Sequence, residues 1–145
     1  MGILKYLLLK NQISKGNAFI WNSKYQKLKS IDKFKAINLD LIVGINKQKE
    51  IIFKNTKNFA DGNFCNNALL WGARGNGKST LIKSVFYILS NKNENLKLIQ
   101  LNKNDILEIE AIYEIASNFL DYRFIIFLDD LSFEKIDTQY KIIKS

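Results

Sequence analysis

Apolar positions along the chain recur in two periods, and their alternation predicts a βαβ arrangement. Leu81, Ile82, Val85, Phe86 and Leu89 share one helical stripe, so a helix is expected over about residues 78–90. Ile45, Ile52 and Phe59 are spaced seven apart, with Ile51 beside them, which predicts an amphipathic helix over residues 46–59. Between these helices, Asp61–Asn66 reads as a polar loop and Asn67–Trp71 as a short strand that runs into the glycine-rich stretch Gly72–Gly77. After the polar loop Asn91–Asn95, a second strand is expected over residues 97–101, where Leu96, Leu98 and Leu101 supply apolar positions. Asp105 with Glu108 three residues later has the form of a helix N-cap and its partner. Ile109, Ile112, Tyr113, Ala116, Phe119 and Leu120 then carry the stripe of the helix that follows. Phe124–Leu128 is apolar throughout, as suits a central parallel strand covered on both faces.

This alternation is the mark of an α/β protein with a parallel sheet, and it begins near Asn38. Residues 1–38 interleave lysines with Tyr6, Phe19, Trp21, Tyr25 and Phe34, have strand-like stretches but no evident core, and read as an N-terminal extension to a domain over residues 39–145. No internal repeat is visible.

Composition narrows the chemistry. The 145 residues contain no histidine, which excludes a Ser-His-Asp system, a histidine acid/base pair and an HExxH zinc site within the chain. Cys65 is the single cysteine, so no internal disulfide or multi-cysteine metal site can form, and Cys65 reads as a small core residue. The longest apolar run, Phe124–Leu128, is far below the roughly 18–20 residues that cross a bilayer, and no secretory cleavage pattern follows the apolar start. A cytoplasmic protein with no membrane partner is therefore expected. The net charge of +8 rests almost entirely on lysine, since only Arg74 and Arg123 among 22 basic residues are arginine. Scattered lysine is a weak nucleic-acid signature, so nucleic acid is a lesser alternative as partner.

Gly72-Ala73-Arg74-Gly75-Asn76-Gly77-Lys78-Ser79-Thr80 satisfies GxxxxGK[ST] between an expected strand and an expected helix, the context a phosphate-binding loop requires. Glycines let successive backbone N–H groups turn toward phosphate oxygens, and the following helix adds the positive end of its dipole. Lys78 is the candidate to bridge the outer phosphates and Ser79 the candidate Mg²⁺ ligand. The strand Phe124–Leu128 ends in Asp129 and Asp130, a Walker B arrangement. Ligands of open α/β sheets sit at the carboxyl ends of the strands, so Asp129 is expected to hold the Mg²⁺ water shell beside Lys78. Asp130 is the candidate to polarise the attacking water, with Glu134 as a substitute if the intervening turn folds back. Arg74 is expected to face solvent or a neighbouring subunit.

The stretches Leu41–Glu50, Asn66–Ser79 and Tyr122–Glu134, the last with its Asp-Asp-Leu-Ser-Phe-Glu run, resemble a bacterial family of AAA-type P-loop ATPases of uncharacterised role, the domain of unknown function 815 family. The resemblance covers about residues 18–145. It implies a three-layer αβα sheet, ATP and Mg²⁺ as cofactors, hydrolysis in the complete protein coupled to an unknown partner, and assembly into a homo-oligomer when full length. It also carries over Ile42, Val43 and Gly44 as adenine contacts. In such a fold five parallel strands are expected, one of them between the Walker A and Walker B strands, whereas three are legible here before Ser145. The resemblance thus implies a chain truncated after Walker B, lacking the γ-phosphate sensor, the arginine finger and the lid. Residues 140–145 read as a helix cut off in mid-pattern. The Walker A and Walker B strands are then left with open edges or pair directly, with marginal stability and aggregation as the consequence. A nucleotide-binding fragment that does not hydrolyse, and a basic nucleic-acid accessory module, are the alternatives.

Overall fold

A computed structural model describes residues 1–31, 46–63, 67–73 and 76–129. In chain order these form α1 (Ile3–Lys15), β1 (Ala18–Asn22), β2 (Lys27–Ser30), α2 (Asn46–Ala60), β3 (Ala68–Ala73), α3 (Asn76–Ser90), β4 (Leu96–Leu101), a 3-10 helix (Lys103–Glu108), α4 (Ile109–Asn118) and β5 (Arg123–Asp129). The helix expected over residues 140–145 and Cys65 lie outside the described residues.

The five strands make one sheet in the order β2-β1-β4-β5-β3. β1, β4, β5 and β3 run parallel, and β2 returns antiparallel to β1 at the edge. The apolar strands dictate the layers. Phe124, Ile126 and Leu128 of β5 point to one face with Ile99 and Leu101 of β4, where α1 and α4 cover them. Ile125 and Phe127 point to the other face with Leu96 and Leu98, under α2 and α3. A strand buried on both sides has no polar position to spare, which is why β5 reads as an unbroken apolar run.

Two strands more than the three expected come from the segment read as an extension. β1 is hydrogen-bonded to β4, with Phe19 opposite Ile99, and Leu9, Ile13, Phe19, Trp21 and Leu28 enter the same buried cluster as β5. The sheet therefore crosses the boundary drawn at residue 38. Two features hold this segment in place. The Lys97 ammonium, on a side chain that is itself buried, donates to the Gly16 carbonyl at 2.6 Å, at the junction of α1 and β1. Gly16 cannot carry a side chain, because a Cβ there would meet the Phe19 ring at 2.8 Å.

Smaller departures have local causes. In α2 the inward positions are Ile52, Thr56 and Phe59, while Ile51 is half-exposed, because a helix has about 3.6 residues per turn and the buried stripe follows residues three and four apart. α4 ends at Asn118, so Phe119 is buried but Leu120 turns outward. The expected cap of Asp105 and Glu108 does not form. Residues 103–108 wind as a 3-10 helix kinked at Asp105, and Glu108 precedes α4 without a side-chain cap bond. Both carboxylates turn to the β1–β2 connection instead: Ser23 Oγ donates to Asp105 Oδ1, and Gln26 Nε2 to Glu108 Oε2, each at 3.0 Å.

Candidate functional site

β3 and β5 are direct neighbours, parallel and in register over six residue pairs from Ala68↔Phe124 to Ala73↔Asp129. Of the two outcomes expected for these strands, open edges or direct pairing, the second is the one observed. The last pair joins the strand end that leads into the glycine-rich loop to the strand end that bears the acid. Gly72 and Ala73 close β3, opposite Leu128 and Asp129. α3 starts at Asn76, so Asn76, Gly77, Lys78 and Ser79 occupy its first turn and Thr80 follows. The first backbone N–H groups of a helix have no intrahelical acceptor, so this helix end offers donors at the same sheet edge as the end of β5. Ser79 and Thr80 are half-buried there.

Of the other residues singled out by sequence, Arg74, Gly75, Asp130, Glu134 and the adenine candidates Ile42, Val43 and Gly44 lie outside the described residues. Among the described residues no group of three or more histidine, cysteine, aspartate or glutamate side chains forms a metal cluster.

The supports of this edge were not legible from motifs. Trp71, two residues before the end of β3, packs into the α2/α3 side of the core with its indole Nε1 buried and lacking a hydrogen-bond partner among the described residues. At the opposite edge of the sheet, Arg123 at the start of β5 donates from Nε to the Phe59 carbonyl at 3.0 Å. Its guanidinium lies 4.3 Å over the Phe59 ring, tying the end of α2 to β5. Burial pulls the Arg123 pKa below its usual range. The only advance sign of this contact was that Arg123 is one of two arginines in a chain whose other basic residues are lysine.

The geometry defines a three-layer α/β protein with a mostly parallel five-stranded sheet, in which a strand, a glycine-rich loop and a helix follow one another at the carboxyl edge. Residues 14–145 match the family described as protein of unknown function (DUF815), and the chain belongs to it. The match takes in β1 and β2 and leaves most of α1 outside. No curated protein and no solved structure is significantly similar to the chain. Among the described residues no helix is long and apolar enough to cross a membrane.

Proposed function

We propose that the chain is a P-loop domain that binds ATP with Mg²⁺ at the carboxyl edge of β3 and β5 and hydrolyses it to act on a partner. The observation that carries this reading is the pairing of Ala73 with Asp129, together with GxxxxGK[ST] spanning the step from β3 to α3. In it, the backbone of residues 72–80 and the start of α3 cradle the phosphates, and Lys78 balances the charge of the outer two. Ser79 and Asp129 hold Mg²⁺, which when bound neutralises charge on the phosphate oxygens. Asp130, or Glu134 in its place, accepts a proton from the attacking water, and Ile42, Val43 and Gly44 line the adenine. Arg74 faces solvent or a neighbouring subunit of a homo-oligomer, and the setting is cytoplasmic.

The direct pairing of β3 with β5 favours a second reading within the same site. No position lies between them for a strand carrying a γ-phosphate sensor, so binding without turnover is the expected behaviour of this chain. Calorimetric titration with MgATP tests the binding. Saturable heat that disappears in Lys78→Ala is expected, and a silent titration of folded protein would overturn the proposal. Phosphate release from the same mixtures separates the two readings. Nucleic-acid binding through the basic residues 1–38 that survives Lys78→Ala and weakens steeply with salt would instead favour the nucleic-acid module.

A further inference from the structure

The outer face of α1 has no partner among the described residues. Leu9 and Ile13 are buried against the sheet and the Tyr6 ring stacks on Phe119, with centroids 4.9 Å apart and planes 9° from parallel. The helix is thus held firmly from below. Yet Ile3, Leu4, Leu7 and Leu8 are 78%, 79%, 53% and 65% exposed. With about 3.6 residues per turn, these four form one continuous arc over the first two turns. Lys10 borders the arc beside Leu7, and Lys5 borders it beside Leu8; both are exposed. A helix that is apolar on both its inner and its outer side is ordinarily covered on both.

The charge pattern selects what covers it. α1 contains three lysines and no acidic residue. Glu110 and Glu114 of the neighbouring α4 are exposed, and Glu114 lies 3.8 Å from the Met1 amino group. A second copy of the chain would bring the Lys5 and Lys10 borders against their own like charges. A convex, lysine-bordered apolar arc matches a flat anionic surface, where apolar side chains enter among the headgroups and lysine stems extend to the phosphates. We propose that α1 docks this protein reversibly on anionic lipid bilayers, with Ile3, Leu4, Leu7 and Leu8 inserted and Lys5 and Lys10 paired with lipid phosphate. The exposed arc lies outside residues 14–145, the part of the chain matched to the family, and the docking is independent of the nucleotide proposal.

Co-sedimentation of the whole chain with vesicles tests it, using equal parts phosphatidylglycerol and phosphatidylcholine against phosphatidylcholine alone. Binding to the anionic vesicles only, weakened by raising salt, is expected. Leu4→Glu with Leu8→Glu should weaken it by at least about tenfold, and Lys5→Glu with Lys10→Glu should abolish the preference for anionic lipid. All four positions are exposed, so circular dichroism and the unfolding midpoint should stay at wild-type values. The salt dependence of the unaltered chain gives a readout that needs no variant. Absence of sedimentation, or equal sedimentation with both vesicles, overturns the proposal. So does a wild-type dimer that Leu4→Glu with Leu8→Glu turns into monomer in the absence of lipid, since the arc would then be a self-association surface.

Discussion

The two faces of the sheet are built by different means. The α2/α3 face is assembled from neighbours in sequence: α3 leaves β3 after two residues and its stripe of Leu81, Ile82, Val85, Phe86 and Leu89 folds back over Leu98, Ile125 and Phe127. The α1/α4 face is closed by residues some eighty positions apart. Gly16 is tied to Lys97, Ser23 to Asp105 and Gln26 to Glu108, and Leu9, Ile13, Trp21 and Leu28 meet α4 and β5. Local connection makes the first face readable from periodicity. Closing a long loop costs entropy that must be recovered from buried area, and no single stretch of sequence displays that exchange.

The contrast can be broken most sharply in the core. Phe127→Ala opens a cavity on the α2/α3 face and should cost about 3–5 kcal/mol in urea unfolding. Leu28→Ala, on the β2 strand of the other face, should cost about 2–4 kcal/mol in the same single transition. Were residues 1–31 a mere appendage, Leu28→Ala would leave the midpoint where it is. A smaller loss, about 1 kcal/mol, is expected from Asp105→Ala, which removes the acceptor of Ser23. The cycle with Ser23→Ala should show that the two losses are not additive. Thr56→Val should raise stability by about 1 kcal/mol, because the buried Thr56 hydroxyl has no hydrogen-bond partner among the described residues and the replacement keeps its shape.

The smallest effect concerns Lys97. Burial lowers its pKa from the usual 10.5, and the charge of Glu94 only partly opposes this. Between the lowered value and 10.5 the unfolded chain binds the extra proton, so stability rises with pH across that window. Below the window the cost of the buried charge is fully present. Relative to Lys97→Met, the wild-type unfolding free energy should therefore climb as the pH approaches 10.5, and parallel profiles would refute this account.

The edge strands sharpen the comparison further. β2 is four residues long and exposes Lys27 and Lys29, the charged blunting that discourages pairing with other chains. β3 has one strand neighbour among the described residues, β5, and its Ala68, Leu69, Leu70 and Trp71 are only half-buried. Aggregation should therefore start at the β3 edge.

Periodicity and run length were enough to reveal α2, α3, β3, β4 and β5 to within a few residues, since a buried strand or a half-buried helix must place its apolar residues at fixed intervals. GxxxxGK[ST] stands out in the sequence as a pattern of fixed spacing, and its ends fall at the close of β3 and in the first turn of α3. β1 was hidden because Ala18–Asn22 is short and lies among lysines, and its place beside β4 depends on contacts across the whole chain. The roles of Asp105, Glu108 and Lys97 were hidden too. A carboxylate in a cap and a carboxylate gripping a distant hairpin look alike in one dimension, and packing in three decides between them.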